Sequence, residues 1–99
     1  MQIVKTLGFE QKVSSQLIAA AGLTCSTYPD GTKANACLLS SFTGNVRYRD
    51  DGTDPTGTVG IRIAAGINPW LYQGDMQKFR AILEGGNPTL EITYVIVVD

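Results

Sequence analysis

The 99-residue chain predicts an all-β fold, a single small β-sandwich preceded by an N-terminal arm or short helix. Turn-forming groups recur at short intervals: Pro29–Asp30–Gly31, Thr43–Gly44–Asn45, Asp51–Gly52, Asp54–Pro55, Ala65–Gly66, Asn68–Pro69, Gly74–Asp75 and Gly85–Gly86–Asn87–Pro88. These residue types supply left-handed backbone, fixed φ or local side-chain bonds, so each group ends an element. The segments between them are too short for ordinary helices. Most alternate apolar and polar residues, the period of a strand with one buried face.

From the N-terminus, Met1 to Leu7 reads as an edge strand. Val13, Leu17, Ile18 and Ala21 then fall on one helical face with Gly22 placed to end it, while Val13 and Ile18 are β-branched. Residues 1–24 are therefore expected to form either an extended arm or one short helix, with residues 25–99 as the β core. Ala34 to Phe42 sets Ala36, Leu38, Ser40 and Phe42 against Cys37, Leu39 and Ser41. Asn45 to Arg49 opposes Val46 and Tyr48 to Arg47 and Arg49, and Gly60 to Ala64 opposes Ile61 and Ile63 to Arg62. Trp70 to Gln73 places Trp70 and Tyr72 on one inward face. Lys78 to Leu83 places Phe79, Ala81 and Leu83 opposite Arg80.

Thr89 to Val98 carries Leu90, Ile92, Tyr94, Ile96 and Val98 on one face. Its other face changes from Glu91 and Thr93 to Val95 and Val97. A strand apolar on both faces is usually buried on both, and a small sandwich is expected to cover only one. Either the N-terminal arm or another copy of the chain must supply the second cover. Left open, Tyr94 to Val98 is an aggregation hazard. Val95, Ile96, Val97 and Val98 are accordingly the expected self-association residues.

Charge and residue types narrow the function. Eight basic residues balance nine acidic ones without clustering, so neither nucleic acid nor an anionic membrane is an expected partner. The apolar stretch Leu17 to Leu23 is at the short limit for a signal sequence, and synthesis in the cytoplasm is expected. Histidine is absent, which removes the usual general base and the Ser–His and Cys–His nucleophile systems. The carboxylate pairs Asp50/Asp51 and Glu84/Glu91 read as surface groups, and no enzyme activity is expected.

Asp50–Asp51–Gly52–Thr53–Asp54 offers closely spaced oxygens to calcium but lacks the EF-hand spacing. It reads as a tight turn neutralised by Arg47 and Arg49, and no metal or other cofactor is expected. Cys25 and Cys37 make no metal site without histidine; two buried thiols is the favoured reading over a disulfide. Trp70 and Tyr72 are assigned to the core in preference to a sugar-binding platform.

The stretch Val46–Arg47–Tyr48–Arg49–Asp50–Asp51–Gly52–Thr53–Asp54–Pro55–Thr56–Gly57–Thr58–Val59–Gly60–Ile61–Arg62–Ile63–Ala64–Ala65–Gly66 is followed by Gly74–Asp75, Phe79–Arg80–Ala81–Ile82 and Thr89–Leu90–Glu91–Ile92–Thr93–Tyr94. In this pattern residues 34 to 94 resemble small bacteriophage virion proteins of the capsid decoration, or cement, kind. The resemblance implies a β-sandwich of jelly-roll type, present in many copies on the particle as homotrimers that bridge subunits of the major capsid protein. The segment after Tyr94 and the N-terminal arm depart from that pattern. The expectation is thus a non-enzymatic virion protein made in the bacterial host cytoplasm. Its expected partner contacts are Met1, Ile3, Val4 and Lys5 in the arm and Asp50, Asp51, Asp54 and Pro55 in the loop. The alternative is a tail or baseplate accessory, or a small glycan-binding module, which requires Trp70 or Tyr72 to be exposed.

Overall fold

A computed structural model describes residues 2–23, 34–66, 69–74 and 76–98. Eight strands follow in order: β1 Gln2–Lys12, β2 Ala21–Gly22, β3 Ala36–Phe42, β4 Val46–Arg49, β5 Ile61–Ile63, β6 Trp70–Tyr72, β7 Arg80–Leu83 and β8 Thr89–Val98. They form two four-stranded sheets, ordered β1-β8-β3-β6 and β2-β7-β4-β5, with every strand pair antiparallel. The fold is the expected β-sandwich.

The pairing explains the order. β1 pairs with β8, β2 with β7, β3 with β6 and β4 with β5, as in one long hairpin closed at the β4–β5 connection. Rolling that hairpin adds the β3–β8 and β4–β7 contacts and divides it into two sheets. A rolled eight-stranded hairpin is a jelly roll.

The core lies between the sheets, where the period-2 patterns placed it. Cys37, Leu39, Tyr72, Leu90, Ile92 and Tyr94 enter from the first sheet, and Val46, Tyr48, Ile63 and Ala81 from the second. Phe79, just ahead of β7, and Leu17 complete the cluster, both fully buried. Ser41 is the one buried polar residue among those described, and its hydroxyl donates to the Gly44 carbonyl at 2.6 Å. In the same β3–β4 turn the positive φ falls on Thr43 (61°) and not on the adjacent glycine. A side chain on Gly44 would press against Gly85 O and Pro88, while Thr43 Oγ1 reaches within 2.5 Å of the Asn87 carbonyl.

The N-terminal third differs from expectation. It is neither a detached arm nor a helix: β1 runs for 11 residues along β8, a single 3₁₀ turn occupies Ser14–Gln16, and β2 joins the second sheet. Of the proposed helical face, Leu17 is buried while Val13 and Ile18 are exposed, so burial there lacks helical spacing. The Leu83 N–H donates to the Leu17 carbonyl at 2.9 Å, tying this connection to β7. Residues 2–23 therefore belong to the sandwich, and the division at residue 24 does not separate arm from core. The β7 strand likewise begins at Arg80, two residues later than the alternation suggests.

Candidate interaction surfaces

Sandwich sheets usually turn a polar face to water, but the outer face of the first sheet here is apolar. Register places Ile3 beside Val97, Thr6 beside Val95 and Phe9 beside Thr93. Ala36 pairs with Val95, and Leu38 lies between Thr93 and Leu71. Ala36, Val95 and Val97 form a second buried cluster with Leu38 and Leu71 packed against it. Ile3, Phe9 and Phe42 remain exposed around them. Asn35 anchors this face, donating from Nδ2 to the Val97 carbonyl at 2.9 Å and accepting the Val97 N–H at 2.8 Å.

Val95 is fully buried and Val97 nearly so within a single chain. The premise that one sandwich covers only one face of the last strand is thereby corrected, because its lateral neighbours on β3 and β6 close around the second. Of the four expected self-association residues, Ile96 is half-buried and only Val98 is exposed.

The second surface is the mouth of the sandwich between β5 and β6, the edge strands on one side of the two sheets. Ile61 pairs with Tyr48, and Trp70 with Leu39, so both side chains face inward. Lying at the edge, they nevertheless reach solvent: Ile61 is 58% and Trp70 39% exposed. The assignment of Trp70 to the core is corrected accordingly, while Tyr72 is buried as expected. Trp70 tops a run of aromatic rings that descends through Tyr72 and Tyr48 to Phe79, with centroids 5.0 to 5.9 Å apart. Offset and edge contacts of this kind hold rings in fixed orientation. Two shallow grooves meet at Ile61. One is bounded by Arg49, Asp50, Asp51, Val59 and Gly60, the other by Arg62, Ile63 and Trp70.

Polar groups frame this mouth. The Tyr72 hydroxyl donates to Asp50 Oδ2 at 2.5 Å, and burial, reinforced by that bond, pushes the phenol far above its usual range. Burial, then the Asp50 charge, also raises Tyr48. Gly74 is required beside this bond, because a Cβ there would fall 2.4 Å from the Tyr72 hydroxyl and 2.5 Å from Asp50. Asp51 turns away to Arg49, with contacts of 2.5 and 3.2 Å, and this bond holds its carboxyl below the usual range. Behind the mouth, Glu84 Oε2 sits 2.7 Å from Arg62 Nε and 2.8 Å from Arg47 Nε. The Arg62 bond, then that from Asn45, draws Glu84 below its ordinary value.

The expected partner contacts do not form one site. Ile3 and Lys5 are exposed on β1 and Val4 is part of that strand, whereas Asp50, Asp51, Asp54 and Pro55 follow β4 towards the mouth on the far side. Asp54 is exposed and Pro55 buried. Arg49, but not Arg47, neutralises the loop. Among the described residues no three acidic or thiol groups converge as metal ligands. Glu84 and Glu91 lie on different sheets. Cys37 is buried against Tyr72's strand; Cys25 and Met1 lie outside the described residues, and with Cys25 the question of its pairing. No helix is long and apolar enough to cross a membrane among the described residues.

Sequence reasoning missed Val59 and Ile61 at the mouth, Asn35, and the Glu84 cluster. The Val59–Gly60–Ile61 alternation was the available signal, but exposure depends on β5 being an edge. No family model, curated protein or solved structure matches this chain.

Proposed function

We propose that this chain is a non-enzymatic structural protein of a bacteriophage virion, a decoration subunit that binds the major capsid protein. The observation that carries the proposal is the mouth of the jelly roll, where Val59, Ile61 and Trp70 expose apolar surface beside the Asp50–Pro55 loop. An exposed apolar patch rimmed by charges is the usual anatomy of a protein–protein contact. In this reading Trp70 is the central anchor, Ile61 and Val59 surround it, and Arg49, Asp51 and Arg62 form the polar rim. Stabilisation is mechanical: apolar area buried against the shell must be exposed again before the shell opens. Many copies multiply a modest contact.

Trp70 is the chain's only tryptophan, which makes the test direct. Mixed with shells of the major capsid protein, the wild type is expected to sediment with them and its emission to shift to the blue. The Trp70→Ala and Ile61→Asp variants are expected to remain in the supernatant. Equal binding by both variants refutes this docking face. Trp70's exposure also favours the second reading, a glycan-binding module. Emission that responds to saccharides and not to shells selects it.

A further inference from the structure

We infer that two copies of this chain associate edge to edge, β1 pairing antiparallel with β1 of the second copy about a two-fold axis at Thr6. The two β1-edged sheets then become one eight-stranded sheet. This contact lies on the opposite side of the sandwich from the mouth, so it does not depend on the docking face proposed above.

β1 ends its sheet, and no described strand pairs with its outer edge. It is also long. The other three edge strands, β2, β5 and β6, have two or three residues against its 11. Natural proteins blunt such edges by shortness, proline or charge. β1 contains no proline, and register puts Lys5 and Lys12 on the face opposite to Ile3 and Phe9.

The outward groups follow from Asn35. Its amide occupies both backbone groups of Val97 from the β3 side, so the alternating residues Ile96 and Val98 turn towards β1. On β1 these face Lys5 and Gln2, and the pattern continues through Gly8, Glu10 and Lys12. Ile3, Thr6, Phe9 and Gln11 therefore turn their N–H and C=O groups outward.

Two register shifts, between Ile3 and Lys5 and between Thr6 and Gly8, make this edge match its own reverse. Each adds one residue, so the outward positions are spaced by three on either side of Thr6. Read backwards about Thr6, the strand meets itself in register: Thr6 faces Thr6, and Phe9 faces Ile3 of the second copy. A single shift would break that match. Threonine–threonine and aromatic–β-branched pairs are favourable cross-strand neighbours. Phe9, 58% exposed, and Ile3, 41% exposed, cover one another twice across the axis. No like charges meet, since Lys5 faces Leu7 and Gln2 faces Glu10. The two-fold is isologous and closes, so association stops at two.

Light scattering after size exclusion, over a wide concentration range, is expected to give twice the 10.6 kDa chain mass. Thr6→Pro removes an N–H that points outward and none that β8 uses, so it is expected to yield a monomer with unchanged circular dichroism. Phe9→Lys is expected to weaken the dimer at least tenfold, which keeps the question decidable should the proline variant not fold. Thr6→Cys is expected to crosslink to itself on oxidation, because directly opposed strand residues lie within disulfide reach. Gln11→Cys, about 30 Å from its mate in this register, is not. A monomer throughout, a trimer, a dimer that survives both Thr6→Pro and Phe9→Lys, or Thr6→Cys that crosslinks no more than Gln11→Cys overturns the inference. None of these outcomes affects sedimentation with shells.

Discussion

Leu17→Ala tests whether the N-terminal residues belong to the core. Leu17 is fully buried among the residues between the sheets, and its carbonyl accepts from Leu83. Truncation to alanine removes three carbon groups, a transfer loss of about 2.4 kcal/mol at roughly 0.8 kcal/mol for each. The space left cannot fully collapse under a carbonyl pinned to β7, so a cavity penalty is added and the total becomes about 3 kcal/mol. For a domain of this size the corresponding fall in Tm is about 12 to 24 °C. Urea unfolding followed by Trp70 fluorescence and by circular dichroism measures it, with an unchanged urea dependence confirming that the native state is intact. Ile18→Ala, one residue along and 70% exposed, is the control and is expected to change stability by no more than about 0.5 kcal/mol. A Leu17→Ala loss as small as the control's refutes the placement of residues 2–23 in the sandwich.

Three further outcomes follow from the polar contacts. Asn35→Ala strands both backbone groups of the buried Val97; it is expected to cost about 2 kcal/mol and to speed hydrogen exchange of the Val97 amide, measured by NMR. Because its arginine and asparagine bonds lower Glu84, its stabilisation is present above the ordinary value of 4.5 and is lost as pH falls through the lowered one. Glu84→Gln is therefore expected to be less stable than wild type near neutral pH, with the gap closing in urea titrations at about pH 3. The raised Tyr72 phenol keeps its proton where the unfolded chain's tyrosines ionise, so its stabilisation is present below the ordinary value of 10.0 and lost as pH rises beyond it. Ultraviolet titration is expected to show one tyrosine fewer resisting ionisation in Tyr72→Phe than in wild type.

The elements most legible in the sequence are those with uninterrupted alternation. β8 is read over its whole length, Thr89–Val98, and β4 and the inward face of β3 emerge equally directly. β1 was hidden because its two register shifts space the outer residues Ile3, Thr6 and Phe9 by three, which erases a period of two. Alternation assigned Trp70 to the correct face but carries no information on whether a strand is central or at an edge. The doubly apolar end of β8 correctly signalled burial on both faces; which atoms supply the cover depends on register with β3 and β6. Glu84 was visible as a carboxylate, but Arg47 and Arg62 reach it only through the β4–β5 and β4–β7 pairings.

The pairing of the first strand with the last also dictates when the molecule can fold. As the chain leaves the ribosome, Gln2–Lys12 has no partner until Thr89–Val98 has been made, some eighty residues later. Such sequence-distant contacts bear a loop-closure cost before they return any stability, which slows all-β domains to milliseconds or longer. β1 must wait unpaired through most of translation, and completion of the sheet is a post-translational event.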